Sequence, residues 1–283
     1  MKVNLTSKEF DLFKDYIRKH CGIEIGDQKA YLIESRLAKL LVEYEVSSYE
    51  ELYYKIYRNT NPKIKEQVID AITTNETLWF RDKTPWVILE EKLMPKYIEL
   101  LRSKKRHKIR IWSAASSTGQ EAYSTAMSIN EYLEKNNIKD INLSQFEILA
   151  TDISKPVLNV AKKGRYDSVS IMRGLDNKYK MKYFKNEGRT WVLDDKIKSL
   201  VTFRKFNLQD SFWSLGKFDI IFLRYVLIYF SSDFKSEALK KIKNTLNENG
   251  KLFLGSSEIL HDQKNEFNNC NYKNGVYYSV GEC

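Results

Sequence analysis

Small and polar residues follow several strand-like segments of the chain, where they could hold a ligand. The first such loop, ASSTGQE at 115–121, continues directly from the apolar segment IRIWSAA at 109–115. Its small residues and single glycine allow the backbone to approach a bound molecule, and a predicted helix begins at Gly119. The loop has neither the Gly-Lys-Ser/Thr of a Walker loop nor the GxGxxG of a dinucleotide site, so a pyrophosphate ligand is disfavoured.

Three polar residues extend this arrangement. Asp152 ends a second strand-like segment, and an acid there can accept hydrogen bonds from both hydroxyls of a ribose, although Asp152 alone is equally consistent with a turn. Asn207 follows a third segment, and its amide offers a donor and an acceptor to an adenine edge. Glu121 could bind an amino group. In this order, these residues favour a nucleoside without phosphates, such as S-adenosylmethionine (SAM), and no metal site is predicted.

The elements that must position these residues alternate between strands and helices from Ile109 onward. This alternation predicts a doubly wound, Rossmann-like α/β sheet with parallel strands, in which ligands bind outside the carboxyl ends of the strands. Residues 165–200 interrupt it and are interpreted as an inserted piece with a small antiparallel sheet. Predicted strands cover 109–115, 146–154, 201–208, 218–226, 250–257 and 275–280, and predicted helices cover 119–135, a segment ending at 163, and 232–247.

The first 80 residues predict an all-α domain, because no strand pattern precedes residue 100. TSKE at 6–9 has the pattern of a capping box, and Cys21-Gly22 supplies a stop for the first helix. Three further helices are predicted over 31–43, 48–58 and 62–72.

Residues 81–108 are interpreted as a linker, and residues 109–283 as the ligand-binding domain. The linker is expected to form a long helix from residue 83 to the basic run KKRHK at 104–108. A basic run suits the C-terminal end of a helix, where it complements the helix dipole.

Charge and apolar length restrict the class of protein. Lys and Arg number 47 against 37 Asp and Glu, a net charge of +10. This excess favours an acidic partner such as nucleic acid, an anionic membrane or an acidic protein surface, but a general bias toward Lys, Asn and Ile explains it equally well. The longest apolar run, 218–230, contains Asp219 and Arg224 and is too short to span a bilayer, so no membrane insertion is expected.

The cysteines and the first ten residues of the chain indicate in which cellular compartment the protein is expected. Cys21, Cys270 and Cys283 are far apart and odd in number, so no disulfide is predicted and a reducing cytosol is expected. The polar and charged start, 1–10, is not typical of a signal peptide. We therefore expect a cytoplasmic protein, and a monomer.

Seven segments resemble, in order, the signature segments of the chemotaxis receptor methyltransferases, the CheR family. The resemblance spans about residues 5–280, and its first and sixth segments are highly specific. It implies transfer of a methyl group from SAM to glutamate side chains on the helical cytoplasmic region of chemoreceptors, with S-adenosylhomocysteine as product. It also implies a helical domain, a linker and a SAM-binding domain with an antiparallel β insertion. The segments are AITTNETLWFRD (71–82), WSAASSTGQEAYS (112–124), ATDIS (150–154), GRY (164–166), FNL (206–208), FDIIFLRYVLIYF (218–230) and LGSSE (254–258).

The resemblance assigns roles to individual residues. Arg81 faces the methyl donor, and Tyr229 lies near the transfer site. Without the resemblance, the run Trp79-Phe80-Arg81 would be interpreted as a packed wedge with a capping arginine. The implied catalytic residues are Arg81 and Tyr229, and the implied SAM-binding residues are Asn75, Thr77, Arg81, Glu121, Asp152, Asn207, Leu208, Arg224 and Tyr225.

The implied chemistry explains the arginine. A glutamate side chain, with a reference pKa of about 4.3, is ionised at neutral pH, so its methylation needs no general base. The reaction needs a carboxylate oxygen held in line with the methyl carbon, at roughly 3 Å, with water excluded. Arg81 can clamp one oxygen with its fork of donors and aim the other. Rigid aromatic neighbours would hold the guanidinium in place.

Two positions depart from the family pattern, and they keep alternatives open. Tyr225 stands where the family usually has asparagine near the adenosine, so it would stack on adenine or contribute only its backbone. Gln120 replaces an expected acid beside Glu121. A SAM-binding but weakly catalytic regulatory or receptor-binding homologue is therefore the alternative. An RNA methyltransferase is disfavoured, because the chain has no Asn-Pro-Pro-Tyr-like or paired-cysteine motif, and no nucleic acid partner is expected.

A partner surface is predicted on the N-terminal helices. Methylated receptor helices are rich in glutamate, so a basic face would attract them; Lys14, Arg18, Arg36 and Lys39 are candidates, and a merely solvated face is an equal alternative. In some members of the family the β insertion adds a strand from a receptor's C-terminal peptide. The insertion at 165–200 could serve this use here.

Overall fold

A computed structural model describes residues 3–58, 62–260 and 267–283 of the chain. Within these ranges none of the helices is both long and apolar enough to cross a membrane. The elements belong to an all-α N-terminal part and an α/β part, as the sequence predicts.

The described residues of the N-terminal part form four α-helices close to the predicted bounds. In the first helix the Thr6 side chain accepts a hydrogen bond from the Glu9 amide, and the Glu9 carboxylate accepts one from the Thr6 amide, so the predicted capping box is confirmed. Apolar residues at helical spacing, such as Phe13 and Ile17, are fully buried in the core shared by the helices. The helices are α1 (Ser7–Cys21), α2 (Ala30–Glu43), α3 (Tyr49–Tyr57) and α4 (Pro62–Ile72).

The linker helix is shorter than predicted and is interrupted. It comprises α5 (Thr84–Ile88), one π-helical stretch (Leu89–Leu93) and α6 (Met94–Arg102). The prediction that it continues to residue 108 is wrong. Lys104 has a left-handed φ of 56°, which ends the helix, and the basic run lies in the connection to the first strand. There Arg106 lies 3.7 Å from Asp219, so part of the run pairs with a carboxylate.

A seven-stranded sheet forms the α/β part. Its strand order is β6-β2-β1-β7-β8-β10-β9, with β6 to β8 parallel and the last two strands antiparallel. The predicted Rossmann-like arrangement is confirmed, while β9 was not predicted. The strands of this sheet are β1 (Ile109–Ala114), β2 (Phe146–Asp152), β6 (Val201–Lys205), β7 (Phe218–Leu223), β8 (Leu246–Phe253), β9 (Asn268–Tyr272) and β10 (Gly275–Ser279). The main helices packed on it are α7 (Gln120–Lys135), α8 (Lys155–Lys163) and α12 (Ser232–Thr245).

The predicted insertion is a separate three-stranded antiparallel sheet. Its strands are β3 (Arg165–Asp167), β4 (Phe184–Glu187) and β5 (Thr190–Leu193), in the order β3-β5-β4. Short helices accompany it: α9 (Ser168–Met172), α10 (Asn177–Tyr183) and α11 (Asp195–Lys198).

Trp79 anchors the segment 73–83, which leads from α4 to α5, to this insertion. Its side chain is 1% exposed, its indole N–H donates to the Ser170 carbonyl at 3.0 Å, and its ring packs edge-on against Tyr166 and Phe184. Gly174 permits the contact, because a Cβ at that position would lie 2.3 Å from the Trp79 carbonyl oxygen. The aromatic residue before Phe80 and Arg81 therefore fixes where this segment runs.

The prediction that the cysteines form no disulfide is wrong. Cys270 on β9 is bonded to Cys283, while Cys21 is a buried free thiol. The two bonded residues are 13 apart in sequence, a spacing that has no disulfide pattern of its own. The antiparallel pairing of β9 with β10 and the return of the chain after β10 bring them together.

Candidate active site

One cleft at the carboxyl ends of the strands is lined by all the residues that the sequence predicts to be catalytic or SAM-binding. Its volume is about 950 Å³, including the space at its open mouth. The loops after β1, β2, β6 and β7 form one wall, here called the strand wall. The segment 73–83 between α4 and α5, together with the end of α1, forms the other, here called the linker wall. The lining includes Asn75, Thr77, Arg81, Glu121, Asp152, Asn207, Leu208, Arg224, Tyr225 and Tyr229.

The loop after β1 has an unusual backbone. Ala115 and Ser117 have φ values of 59° and 50°, which non-glycine residues adopt at a cost. The Ser116 amide donates to the Thr151 carbonyl at 2.8 Å, and the Ser117 hydroxyl donates to the Asn75 carbonyl at 2.8 Å. These bonds tie the loop to β2 on one side and to the linker wall on the other. Neither serine was predicted as a site residue.

Asp152 supports the same loop with its carboxylate. One oxygen accepts from the Ser117 amide at 2.8 Å, and the other accepts from the Ser154 amide at 3.0 Å. Burial raises the pKa of Asp152 above its ordinary value, against the opposing effect of these two hydrogen bonds. Each oxygen keeps a second lone pair, so the carboxylate can still accept from ribose hydroxyls.

Glu121 and Arg224 form a buried ion pair rather than a pair of free ligand groups. The Arg224 side chain is 1% exposed, and its Nη1 lies 2.8 Å from a Glu121 carboxylate oxygen. Its Nη2 donates to the Arg81 carbonyl and to Asp82, both at 2.7 Å. The second Glu121 oxygen accepts from the Ser113 hydroxyl at 2.8 Å. Arg224 thus joins the strand wall of the cleft to the linker wall.

The Asn207 amide is also engaged by the protein. Its Nδ2 donates to the His20 carbonyl at 2.8 Å, and its Oδ1 accepts from the Gln209 amide at 3.0 Å. The side chain therefore fastens the loop after β6 to the end of α1. Asn207 and Leu208 still present this loop to the cleft.

Arg81 lies on a strained stretch of the linker. Phe80 and Asp82, on either side of it, have φ values of 46° and 69°. Phe80 stacks on Tyr179 of α10 at a ring distance of 4.3 Å, and its amide donates to the Ser124 hydroxyl at 3.0 Å. Trp79 and Phe80 are both packed against other rings, and they hold the backbone that carries Arg81. The guanidinium itself is partly exposed, unlike that of Arg224.

Tyr225 contacts Arg81 directly. The Arg81 guanidinium carbon lies 3.3 Å from the centre of the Tyr225 ring, and the Tyr225 hydroxyl lies 2.7 and 2.8 Å from the Asp82 carboxylate oxygens. Burial alone would raise the pKa of Asp82, but the Tyr225 hydroxyl and the Arg224 charge outweigh it and lower that pKa. Tyr229 is half-buried on the same segment, and its carbonyl accepts from the Glu24 amide at 2.8 Å.

Two acids near the cleft had no predicted role. Glu258 is buried, and one of its oxygens accepts from the Tyr225 amide at 2.6 Å and from the Gly255 amide at 2.8 Å. Its other oxygen accepts from the Ile228 amide at 3.3 Å. Asp82 binds Arg224 and Tyr225, as described above. Both acids lie inside the signature segments, but residue type alone did not indicate that they support the site.

The predicted basic face is largely used within the N-terminal part. Arg36 donates to the Ile72 carbonyl at the end of α4, and its Nη2 donates to the Thr74 hydroxyl at 3.0 Å. Lys14 is paired with Asp27, and Arg18 lies 3.2 Å from Asp15. Lys39 is exposed.

The sheet order and the cleft at its carboxyl edge define the class: a SAM-dependent methyltransferase. Residues 75–276 match the family model described as "CheR methyltransferase, SAM binding domain". Residues 8–73 match "CheR methyltransferase, all-alpha domain". The chain belongs to the CheR family of methyltransferases.

Curated relatives match over nearly the whole chain. The chain is 43% identical to "Chemotaxis protein methyltransferase Cher2" of Pseudomonas putida, over 96% of this chain and 98% of the relative. It is 41% identical to "Chemotaxis protein methyltransferase 1" of Pseudomonas aeruginosa, over 98% and 99%. It is 33% identical to "Chemotaxis protein methyltransferase" of Borreliella burgdorferi, over 94% and 93%. The resemblance inferred from the sequence is therefore confirmed.

Proposed function

We propose that this protein transfers the methyl group of SAM to glutamate side chains of chemoreceptors and so forms glutamate methyl esters during chemotactic adaptation. One observation carries the proposal. A partly exposed arginine, Arg81, lines the cleft of a methyltransferase domain with its guanidinium held over an aromatic ring. An arginine in that place suits an acceptor that is a carboxylate.

The acceptor requires positioning rather than deprotonation. SAM supplies a methyl group on a positively charged sulfur, and a glutamate oxygen that is already ionised bonds to the methyl carbon as the carbon–sulfur bond breaks. Arg81 clamps the other carboxylate oxygen, and Tyr229 contributes to orientation at the same end of the cleft. No described residue has to remove a proton, and no histidine is among the described residues that line the cleft.

The remaining lining residues either bind the methyl donor or enclose its site. Asp152 accepts from the ribose, and the loop of Asn207 and Leu208 faces the adenine. Asn75 and Thr77 contact SAM from the linker wall. Glu121 accepts from the amino group of SAM through lone pairs that its bonds to Ser113 and Arg224 leave available. Arg224 and Tyr225 bound the site from the strand wall.

The wider assignments follow from the same function. The protein acts as a monomer on the cytoplasmic methylation helices of chemoreceptors, and this substrate places it in the cytoplasm, without nucleic acid or membrane insertion. Its proposed division is a helical domain at 1–80, a linker at 81–108 and a SAM-binding domain at 109–283. The inserted sheet has β4 at its edge, where a C-terminal peptide of a receptor could add a strand.

Transfer of label tests the function. Purified receptor and SAM labelled on its methyl group should yield labelled receptor whose label is released by mild base, as esters are. Replacing the methylated glutamates of the receptor with glutamine should abolish the label, because a neutral amide is not the acceptor. Calorimetry with SAM and S-adenosylhomocysteine distinguishes the enzyme from a weakly catalytic regulatory homologue. Binding of these molecules without transfer of label would indicate the regulatory homologue. Label on RNA instead would indicate a different substrate.

A further inference from the structure

Tyr225 has a fixed backbone at the end of β7. Its φ is 59°, in the left-handed region that bulky side chains seldom adopt. The buried Glu258 carboxylate accepts from its amide at 2.6 Å and also from the Gly255 amide at 2.8 Å. These bonds hold a costly conformation and set the direction in which the side chain leaves the backbone.

The side chain of Tyr225 is fixed at its far end as well. Its hydroxyl lies within 2.8 Å of both Asp82 carboxylate oxygens and of the Ser256 hydroxyl. Gly255 provides space beside the ring, because a Cβ there would come within 3.0 Å of the ring carbon Cδ1. Bonds at both ends leave the ring little freedom to turn toward the adenine position.

The ring in this orientation supports Arg81. The guanidinium carbon lies 3.3 Å above the ring centre, a cation–π contact at stacking distance. Within the described residues the other polar contact of the guanidinium is a long one, 3.5 Å to the Glu76 carbonyl. Stacking occupies the flat face of the guanidinium and leaves the N–H groups at its edge available to a carboxylate.

We propose that Tyr225 is a positioning residue for methyl transfer, which aims the Arg81 guanidinium at the acceptor carboxylate. The inference rests on the proposed function. It replaces the sequence-based expectation that Tyr225 either stacks on adenine or contributes only its backbone. It gives this chain an aromatic support where the family pattern has asparagine. Tyr225 therefore acts on the rate of transfer through Arg81, and not on the affinity for SAM.

Two substitutions separate the contributions of Tyr225. Tyr225→Phe removes the hydroxyl bonds to Asp82 and Ser256 and keeps the ring. Tyr225→Asn removes the ring, and asparagine tolerates a left-handed backbone, so the turn is not strained by the change. Tyr272→Phe is a matched control, because its hydroxyl contacts Glu91 at 3.1 Å and neither residue lines the cleft.

The test is a double-mutant cycle with Arg81→Ala, measured as kcat for receptor labelling together with the Kd for SAM. Tyr225→Asn should lower kcat about tenfold in the Arg81 background and less than about twofold in the Arg81→Ala background, with the SAM Kd unchanged. Tyr225→Phe should give an intermediate loss, and Tyr272→Phe none. The inference is overturned if Tyr225→Asn lowers kcat by the same factor in the Arg81→Ala background as in the Arg81 background. It is also overturned if the SAM Kd rises by as large a factor as kcat falls.

An NMR measurement, which does not depend on enzyme activity, distinguishes a failure of the proposed function from a failure of the role proposed for Tyr225. The side-chain N–H resonances of Arg81 should be shifted upfield by the ring in the wild-type protein and in Tyr225→Phe, and should lose this shift in Tyr225→Asn. If the wild-type protein labels no receptor, the proposed function fails, and the resonances alone then decide whether Tyr225 holds Arg81. An unshifted wild-type resonance contradicts the inference whatever the activity.

Discussion

The two arginines of the cleft, Arg224 on the strand wall and Arg81 on the linker wall, are opposite in their surroundings. The Arg224 side chain is 1% exposed and binds Glu121, Asp82 and the Arg81 carbonyl. Arg81 is partly exposed, and its guanidinium rests on the Tyr225 ring with one long hydrogen bond. The Nη1 and Nη2 groups of Arg224 make three hydrogen bonds within the protein, so this guanidinium holds the structure together. A guanidinium whose donors are available can bind a ligand.

The same difference separates the two walls as a whole. Asp152 and Asn207 on the strand wall already accept or donate hydrogen bonds within the protein, so these groups bind a ligand only through what remains of their capacity. The linker wall is held in part by the packing of Trp79 and Phe80, and within the described residues the Arg81 guanidinium on this wall makes one long hydrogen bond. Removing a group should therefore cost stability on the strand wall and catalysis on the linker wall.

Arg224→Met should have the largest effect, and the effect should be on stability. It would leave the Glu121 and Asp82 carboxylates without their cation, which we expect to lower the free energy of unfolding by about 3 kcal/mol. Urea denaturation measures this change. Arg204→Met, at an exposed position on β6 with one 3.3 Å contact to Ser214, is the control and should change stability by less than about 0.5 kcal/mol. If Arg224→Met and Arg204→Met unfold with equal free energies, Arg224 is not the stabilising arginine that its contrast with Arg81 indicates.

Arg81→Ala should have the next largest effect, on rate. We expect kcat for receptor labelling to fall about 10²-fold, the usual loss when a positioning group is removed, while the free energy of unfolding stays within about 0.5 kcal/mol. Arg81→Lys should recover only part of the rate, because lysine keeps the charge without the planar fork. Undiminished turnover in Arg81→Ala would remove the role assigned to this residue.

Asp152→Asn should raise the Kd for SAM about tenfold, since it replaces an ionised acceptor with a neutral one. The effect should depend on pH. Burial raises the pKa of Asp152, so on acidification the carboxylate is lost earlier than for an ordinary aspartate, whose reference pKa is about 3.9. The affinity of the wild-type protein should be full above this raised pKa and fall as the pH drops through it. Titration calorimetry at several pH values checks this, and a similar acid loss in Asp152→Asn would assign it to another group.

Arg36→Gln should have the smallest effect. Its hydrogen bonds to the Ile72 carbonyl and the Thr74 hydroxyl hold the start of the linker wall, so we expect a loss of about 1 kcal/mol in stability with an unchanged KM for receptor. Lys39→Gln on the same helix is the matched variant, because Lys39 is exposed. If a basic face of α2 attracts receptor, Lys39→Gln should raise KM most at low salt, where surface charges are least screened. A larger change in KM for Arg36→Gln than for Lys39→Gln would indicate that Arg36 belongs to the surface that binds receptor.

The sequence by itself determined the elements and the membership of the site. The capping box at Thr6 is a local pattern and acts through neighbouring residues, so it could be predicted. The strand and helix alternation predicted the sheet, and parallel strands bring their carboxyl ends to one edge, so Asp152, Asn207 and Arg224 had to meet. Asn75, Thr77 and Arg81 were assigned to the same site only because the segment 71–82 resembles a signature segment of the family.

Only the tertiary structure decided which of these groups are already in use. The Arg224–Asp82 pair joins residues 142 apart, and the Asn207–His20 bond joins residues 187 apart. Two further features likewise depend on how distant segments pack: the stacking of the Arg81 guanidinium on the Tyr225 ring, and the disulfide between Cys270 and Cys283. Residue type states what a side chain can bind, whereas its free capacity depends on the neighbours that folding places around it.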